Sequence, residues 1–261
     1  MPEHTSFVSY LLGLFPALGH NAHLFGQMLL SKEAVSEHHL EPLTTSLLVM
    51  LLIIGLALAV RPKLKNVGDA VVPETKLSLR TFLEVFVGNF YNISKDIMGA
   101  HRARRYFPVI GTCALFIFFA NLLGLVPGLL PPTASLNITL GSALFVFLYY
   151  NYLGFKENGF GYVKHLFGPW LGPGGIPINL LVFVVEGLSV FVIRPATLAV
   201  RLMINMAVDH LVVGTFLGLF ALFVPLPAMV LGVIVIVVQT LVFCLLSSVY
   251  IALSTEHEEH H

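Results

Sequence analysis

The sequence predicts an all-α polytopic membrane protein, and three observations carry that expectation. Of its 261 residues 57% are hydrophobic and 11% are charged, against about 25% charged in a typical soluble domain. Mean hydropathy is +0.88. Apolar runs long enough to cross a bilayer recur along the chain, separated by short polar segments.

Residues 1–42 hold one Lys, four Glu and five His. The apolar run Phe7 to Leu18 contains Pro16 and has no basic residue ahead of it, which makes a poor signal peptide. The segment is read as extramembrane or interfacial. Leu43 to Val60 is the first span, about 18 residues for a core of roughly 30 Å. It ends at RPKLK, Arg61 to Lys65, whereas the preceding region carries Lys32 alone. The excess of positive charge on cytoplasmic loops places the N-terminus outside and Arg61 inside.

After a polar linker, Phe82, Val85, Phe86, Phe90 and Ile93 recur at helical spacing within Leu77 to Met98, interrupted by Glu84 and Lys95. That pattern suits an amphipathic helix on the cytoplasmic surface. HRARR, His101 to Arg105, anchors the inner end of a second span, Tyr106 to Val126, with Asn121 near its outer end. A lone Asn there reads as a cap or a helix–helix contact. Residues 127–136 carry no charge and three prolines and form an outer loop; Asn137 to Phe155 returns as the third span. Residues 156–175, with Lys156, Glu157, Lys164 and six glycines, form a cytoplasmic loop.

From Ile176 to Ser254 the chain is almost continuously apolar, broken at Pro225 and Pro227. The first part, about 49 residues at about 1.5 Å each, is too long for one upright span. It is either two crossings broken near Arg194–Pro195 or one long tilted or kinked helix, and periodicity leaves both open. Residues 256–261 form an acidic, His-containing tail.

Charge is scarce in this last region. Between His165 and Glu256 the side chains charged at neutral pH are Glu186, Arg194, Arg201 and Asp209, with His210 a fifth that titrates. An ionisable group at bilayer depth is costly and normally faces a partner, a cavity or an ion path. With Arg201 at zero and about 100° per residue, Asn205 falls at about 40°, Asp209 at about 80°, Arg194 at about 20° and Glu186 at about −60°. On one continuous helix these groups form a polar stripe; His210 falls on the far side. The plainer alternative is that Arg201 pairs with Glu186 or Asp209 and locks helices together. In the closing stretch Gln239 shares a face with Gly232 and Tyr250, a second polar seam able to pack on the first. Its plainer reading is a helix–helix hydrogen bond.

Cys113 and Cys244 lie in apolar runs and suggest neither a disulfide nor a metal site. No CxxC, HExxH, GxSxG or P-loop pattern occurs, so the chain has no visible catalytic apparatus and no metal or cofactor is expected. The basic residues flank spans and make no nucleic-acid patch. A stand-alone anion transporter and a membrane scaffold are the competing classes, but no inverted repeat supports the first.

LAVRLMINMAVDH, Leu198 to His210, resembles the signature of subunit a of the F-type rotary ATP synthase. YFPVIGTCALFIFFANLLGLVPG, PPTASLNITLGSAL, PINLLVFVVEGLSVFVIRP and VQTLVFCLLSSVYIALS resemble further stretches of that family, in the family's order. The resemblance spans about residues 43–255. It implies five crossings plus a surface helix, with the last two helices a long tilted hairpin against a ring of c subunits.

The resemblance further implies that Arg201 is the family's essential arginine, standing between two proton half-channels. Asn205 and Gln239 match its polar neighbours, and Glu186 the acid of the inner half-channel. His210 falls at the family's outer-channel position, and Asp209 beside it departs from the pattern. Gly232 and Gly124 stand where some members carry His and Asp, whose role would pass to Asp209 and His210. The implied partners are the c-ring, b-type peripheral stalk subunits, the rest of the complex and the bilayer. The implied location is the bacterial inner membrane, with the C-terminus cytoplasmic. The transported ion is H⁺, with Na⁺ left open.

Overall fold

A computed structural model describes residues 37–64, 78–126, 129–159, 161–162, 176–219 and 225–255. The regular elements among them are helices: α1 (Glu37–Leu64), α2 (Leu79–Met98), α3 (Ala100–Leu123), α4 (Leu136–Asn158), α5 (Ile176–Leu188), α6 (Arg194–Leu219) and α7 (Pro225–Thr255). A 3₁₀ turn, Pro132–Ala134, precedes α4, and a π-helical turn, Ser189–Ile193, joins α5 to α6. Most of the N-terminal segment, the loop after residue 162 and the acidic tail lie outside the described residues.

Among the described residues five segments are long and apolar enough to cross a membrane: Glu41–Pro62, Ala100–Leu123, Leu136–Asn158, Ile178–Thr215 and Met229–Thr255. The helix at the second of these begins at Ala100, earlier than its apolar run, because HRARR continues the helix. Arg105 then reaches Glu157 of α4 at 3.0 Å, and the Tyr106 hydroxyl donates to the same carboxylate, tying the two helix ends together. The helix of the first span likewise runs past Arg61 to Leu64, with Pro62 inside its last turn.

α2 is the amphipathic helix. Ser78 caps it by accepting from the Thr81 N–H, and Gly99, at φ +81°, turns the chain sharply into α3. Its inward side carries Phe90, Ser94 and Met98, and Ser94 Oγ lies 3.0 Å from Ser248 Oγ of α7. Small and polar residues at three- and four-residue spacing let the helices of the core approach closely. Ala103, Gly111, Ala114 and Ala120 of α3 and Thr240, Cys244, Ser247 and Ser248 of α7 are all buried.

The long apolar stretch is one helix with a wide turn in its middle, not two crossings. Pro195 explains the turn. It has no N–H, and its ring would strike the carbonyl four residues back in a regular α-helix. Widening the preceding turn sends the Arg194 N–H to Ser189 O instead. In that pattern the Val190 carbonyl would face the absent N–H of Pro195, and the Tyr150 hydroxyl of α4 donates to it at 2.9 Å. The 38-residue segment Ile178–Thr215 is about 57 Å long at about 1.5 Å per residue. It fits a core of about 30 Å only by leaning over or projecting beyond it.

Candidate functional site

α6 and α7 form an antiparallel pair whose polar side chains meet in register. Asn205 Nδ2 donates to Gln239 Oε1 at 2.6 Å. Eleven residues back from Asn205, the Arg194 guanidinium lies over the ring of Tyr250, 5.4 Å from its centroid, eleven residues on from Gln239. In the other direction Asp209 and Val212 line a cavity together with Gly232 and Ile236. The two seams expected from the sequence therefore face each other along the hairpin.

The stripe on α6 is nonetheless divided. Leu198, Ala199, Leu202 and Met206 are buried, while Thr197, Val200, Arg201, Ile204, Val208 and Leu211 are exposed. Arg201 thus points off the bundle, the one charged group among the described exposed positions of α6. Asn205 and Asp209, rotated about 40° and 80° from it, sit at the edge of the buried side and are partly covered. Among the described residues no ion pair or hydrogen bond holds the Arg201 guanidinium, so a helix-locking pair with Glu186 or Asp209 is not formed.

Glu186 pairs elsewhere. Arg194 lies 3.5 Å from its carboxylate, across the π-helical turn. On a regular α-helix two residues eight apart are about 80° out of line; the wider turn reduces that offset. Around this pair stand three tyrosines. Tyr250 lies under Arg194, Tyr150 is 5.8 Å from Tyr250 ring to ring, and Tyr162 donates to Asn151 Oδ1 at 2.9 Å. Burial pushes the Tyr162 hydroxyl up in proton affinity, with Arg194 pulling it down and Glu186 pushing it up.

At the opposite end is a cavity of about 50 Å³, lined by Asn121, Gly124, Leu125, Pro131, Met206, Asp209 and neighbouring apolar side chains of α6 and α7. Gly124 and Gly232, the two departures from the family pattern, both line it. A Cβ on Gly232 would come within 2.8 Å of Leu125 Cδ2, and one on Gly124 within 2.8 Å of Pro131 Cβ. At Gly124 the Pro131 ring and the Asn121 carbonyl leave a larger residue no room, whereas at Gly232 only the end of the Leu125 side chain would have to move; the charged group lining the cavity is Asp209 of α6. Among the described residues its Oδ2 is buried without a hydrogen-bond partner, as is Asn121 Nδ2. The His210 side chain lies outside the described residues.

Asn121, expected from the sequence as a cap or a helix–helix contact, lines the cavity together with Asp209. Thr133, which donates to Asn121 Oδ1 at 2.6 Å, was not singled out, nor were Tyr150, Asn151 and Tyr162. Their partners are distant in sequence, and a proline-rich turn gives no periodicity to read.

Fold and site together define a multi-pass membrane protein whose closing helical hairpin presents one exposed arginine between a paired polar cluster and an unpaired one. A family profile described as ATP synthase A chain matches residues 43–252. The chain is 52% identical to ATP synthase subunit a of Sorangium cellulosum (strain So ce56), over the full length of both. It is 41% identical to ATP synthase subunit a of Sulfurihydrogenibium sp. (strain YO3AOP1), over 70% of this chain and 84% of that protein. It is 42% identical to ATP synthase subunit a 3 of Pelobacter propionicus (strain DSM 2379 / NBRC 103807 / OttBd1), over 68% of this chain and 75% of that protein. The chain belongs to the ATP synthase A chain family.

Proposed function

We propose that this chain is the proton-translocating stator subunit of a bacterial F-type ATP synthase, seated in the inner membrane beside a ring of c subunits and held by b-type stalk subunits. The observation that carries this reading is Arg201, a permanent cation exposed on an otherwise apolar helix face. An arginine does not release its proton in a protein, so it cannot relay one. It can attract a carboxylate passing on a neighbouring rotor and favour its ionised form. It also opposes a proton moving straight between the two polar clusters on either side.

In this reading the Asp209 cavity belongs to the outer half-channel and the Glu186–Arg194 cluster to the inner one. Asn205 and Gln239 bridge the helices beside Arg201. His210 remains a candidate second relay beside Asp209. The basic ends of α1 and α3 put those ends, α2 and the C-terminus on the cytoplasmic side.

The ion in this reading is a proton, which a single carboxylate such as that of Asp209 in the cavity is able to take up and release. The test is ATP synthesis by membranes carrying the assembled complex with Arg201→Ala or Arg201→Lys. Both variants are expected to assemble and to lose coupled synthesis, Lys included, since its ammonium lacks the guanidinium's planar fork and fixed charge. Coupled synthesis in Arg201→Ala overturns the reading.

A further inference from the structure

The cavity at the outer end of the hairpin contains a lock as well as an acid. Asn121 and Thr133 are both buried, at 1% and 0% exposure, and the Thr133 hydroxyl donates to Asn121 Oδ1 at 2.6 Å. Thr133 is held in place by the 3₁₀ turn, whose prolines Pro131 and Pro132 fix its backbone and whose Ala134 N–H bonds Pro131 O at 3.0 Å. With the amide oxygen engaged, Asn121 presents its N–H₂ group to the cavity. Among the described residues that Nδ2 has no hydrogen-bond partner, and neither does Oδ2 of Asp209, which lines the same cavity.

A buried donor and a buried acceptor are each costly when unpaired. A polar cavity holds water when it is roomy enough, about 10–15 Å³ per molecule, and offers several polar partners. The space here is about 50 Å³. An amide has two faces, and which one it turns to the cavity decides how that water is oriented. An N–H engages the water's lone pair, so the water's own protons are left to point at the carboxylate. A carbonyl oxygen would instead take one of the water's two protons and give up the polarising donation that strengthens the water's bond to the carboxylate.

We propose that Thr133 is a positioning residue of the outer site: by holding Asn121 Oδ1 it turns the amide N–H into the cavity, where it fixes a water that donates to Asp209. Resting as it does on the cavity being a proton path, this inference adds a polarity to that path. The oriented water favours the ionised carboxylate, ready to accept the next proton. Asp209 is the one titratable group among the residues lining the cavity; Asn121 and Gly124 at the end of α3 and Pro131 before the 3₁₀ turn are neutral, and α7 contributes Leu231, Gly232 and Ile236.

The experiment uses the assembled ATP synthase in proteoliposomes, with synthesis followed against outer pH at a fixed membrane potential. Thr133→Val keeps the side chain's shape and removes the donor. Loss of the oriented water disfavours the ionised carboxylate, so the acid binds its proton more tightly. The half-saturating proton concentration is expected to fall about tenfold, one pH unit upward. Thr133→Ser, which keeps the hydroxyl, is expected to restore the wild-type midpoint, which a merely structural role for the threonine methyl would not do. A wild-type midpoint in Thr133→Val overturns the proposal, as does a Thr133→Ser midpoint equal to that of Val. Asp209→Asn separates the two layers. An unchanged pH profile there removes the cavity from the proton path, whereas a changed or abolished profile beside an unmoved Thr133→Val midpoint removes only the lock.

Discussion

The two ends of the closing hairpin solve the same problem in opposite ways. At one end Glu186 has Arg194, Arg194 has Tyr250 beneath it, and the displaced Val190 carbonyl has Tyr150. At the other, Asp209 and Asn121, which line a small cavity, each leave a buried polar atom without a partner among the described residues. Closed pairing favours a fixed geometry, while open valences favour water. The contrast teaches that the polarity within this membrane region is not uniform glue. One cluster holds helices in register and the other leaves a small space lined by Asn121 and Asp209. Arg201, facing out between them, belongs to neither.

Substitutions sharpen this contrast if their effects differ in kind. Asp209→Ala acts at the open end and is expected to lower coupled ATP synthesis about 100-fold, as loss of a positioned acid–base group does, with little change in thermal stability. A synthesis rate near that of wild type would erase the functional half of the comparison. Tyr150→Phe acts at the paired end. It leaves the Val190 carbonyl buried without its hydroxyl, so the complex is expected to lose about 1–3 kcal/mol of stability, seen as a lower unfolding temperature in detergent. Arg194→Met is expected to be the mildest, because the pair it breaks is a long one, 3.5 Å between Arg194 and Glu186. Its melting temperature should fall by less than that of Tyr150→Phe.

Much of this was legible in the residues. The spans around Tyr106–Val126 and Asn137–Phe155, the amphipathic helix through Phe82, Phe86 and Phe90, and the scarcity of charge around Arg201 follow from hydropathy and period. The Asn205–Gln239 contact was foreshadowed by two polar seams on consecutive helices. What was hidden depends on where the chain departs from a regular helix. The π-helical turn before Pro195 breaks the count of about 100° per residue, so Glu186 meets Arg194 and the single stripe does not survive. Proline alone leaves kink, break and wide turn equally open. The Asn121–Thr133 bond spans a turn with no repeat, and Asn121 is as ordinary in sequence as any helix contact.

The central claim is that Arg201 stands as an electrostatic barrier between two polar regions that would otherwise conduct. Passive proton conductance of vesicles carrying the assembled complex with Arg201→Ala tests it directly. Collapse of an imposed pH gradient faster than in wild-type vesicles, together with loss of ATP synthesis, is the predicted result. Vesicles as proton-tight as wild type that still make ATP would contradict it.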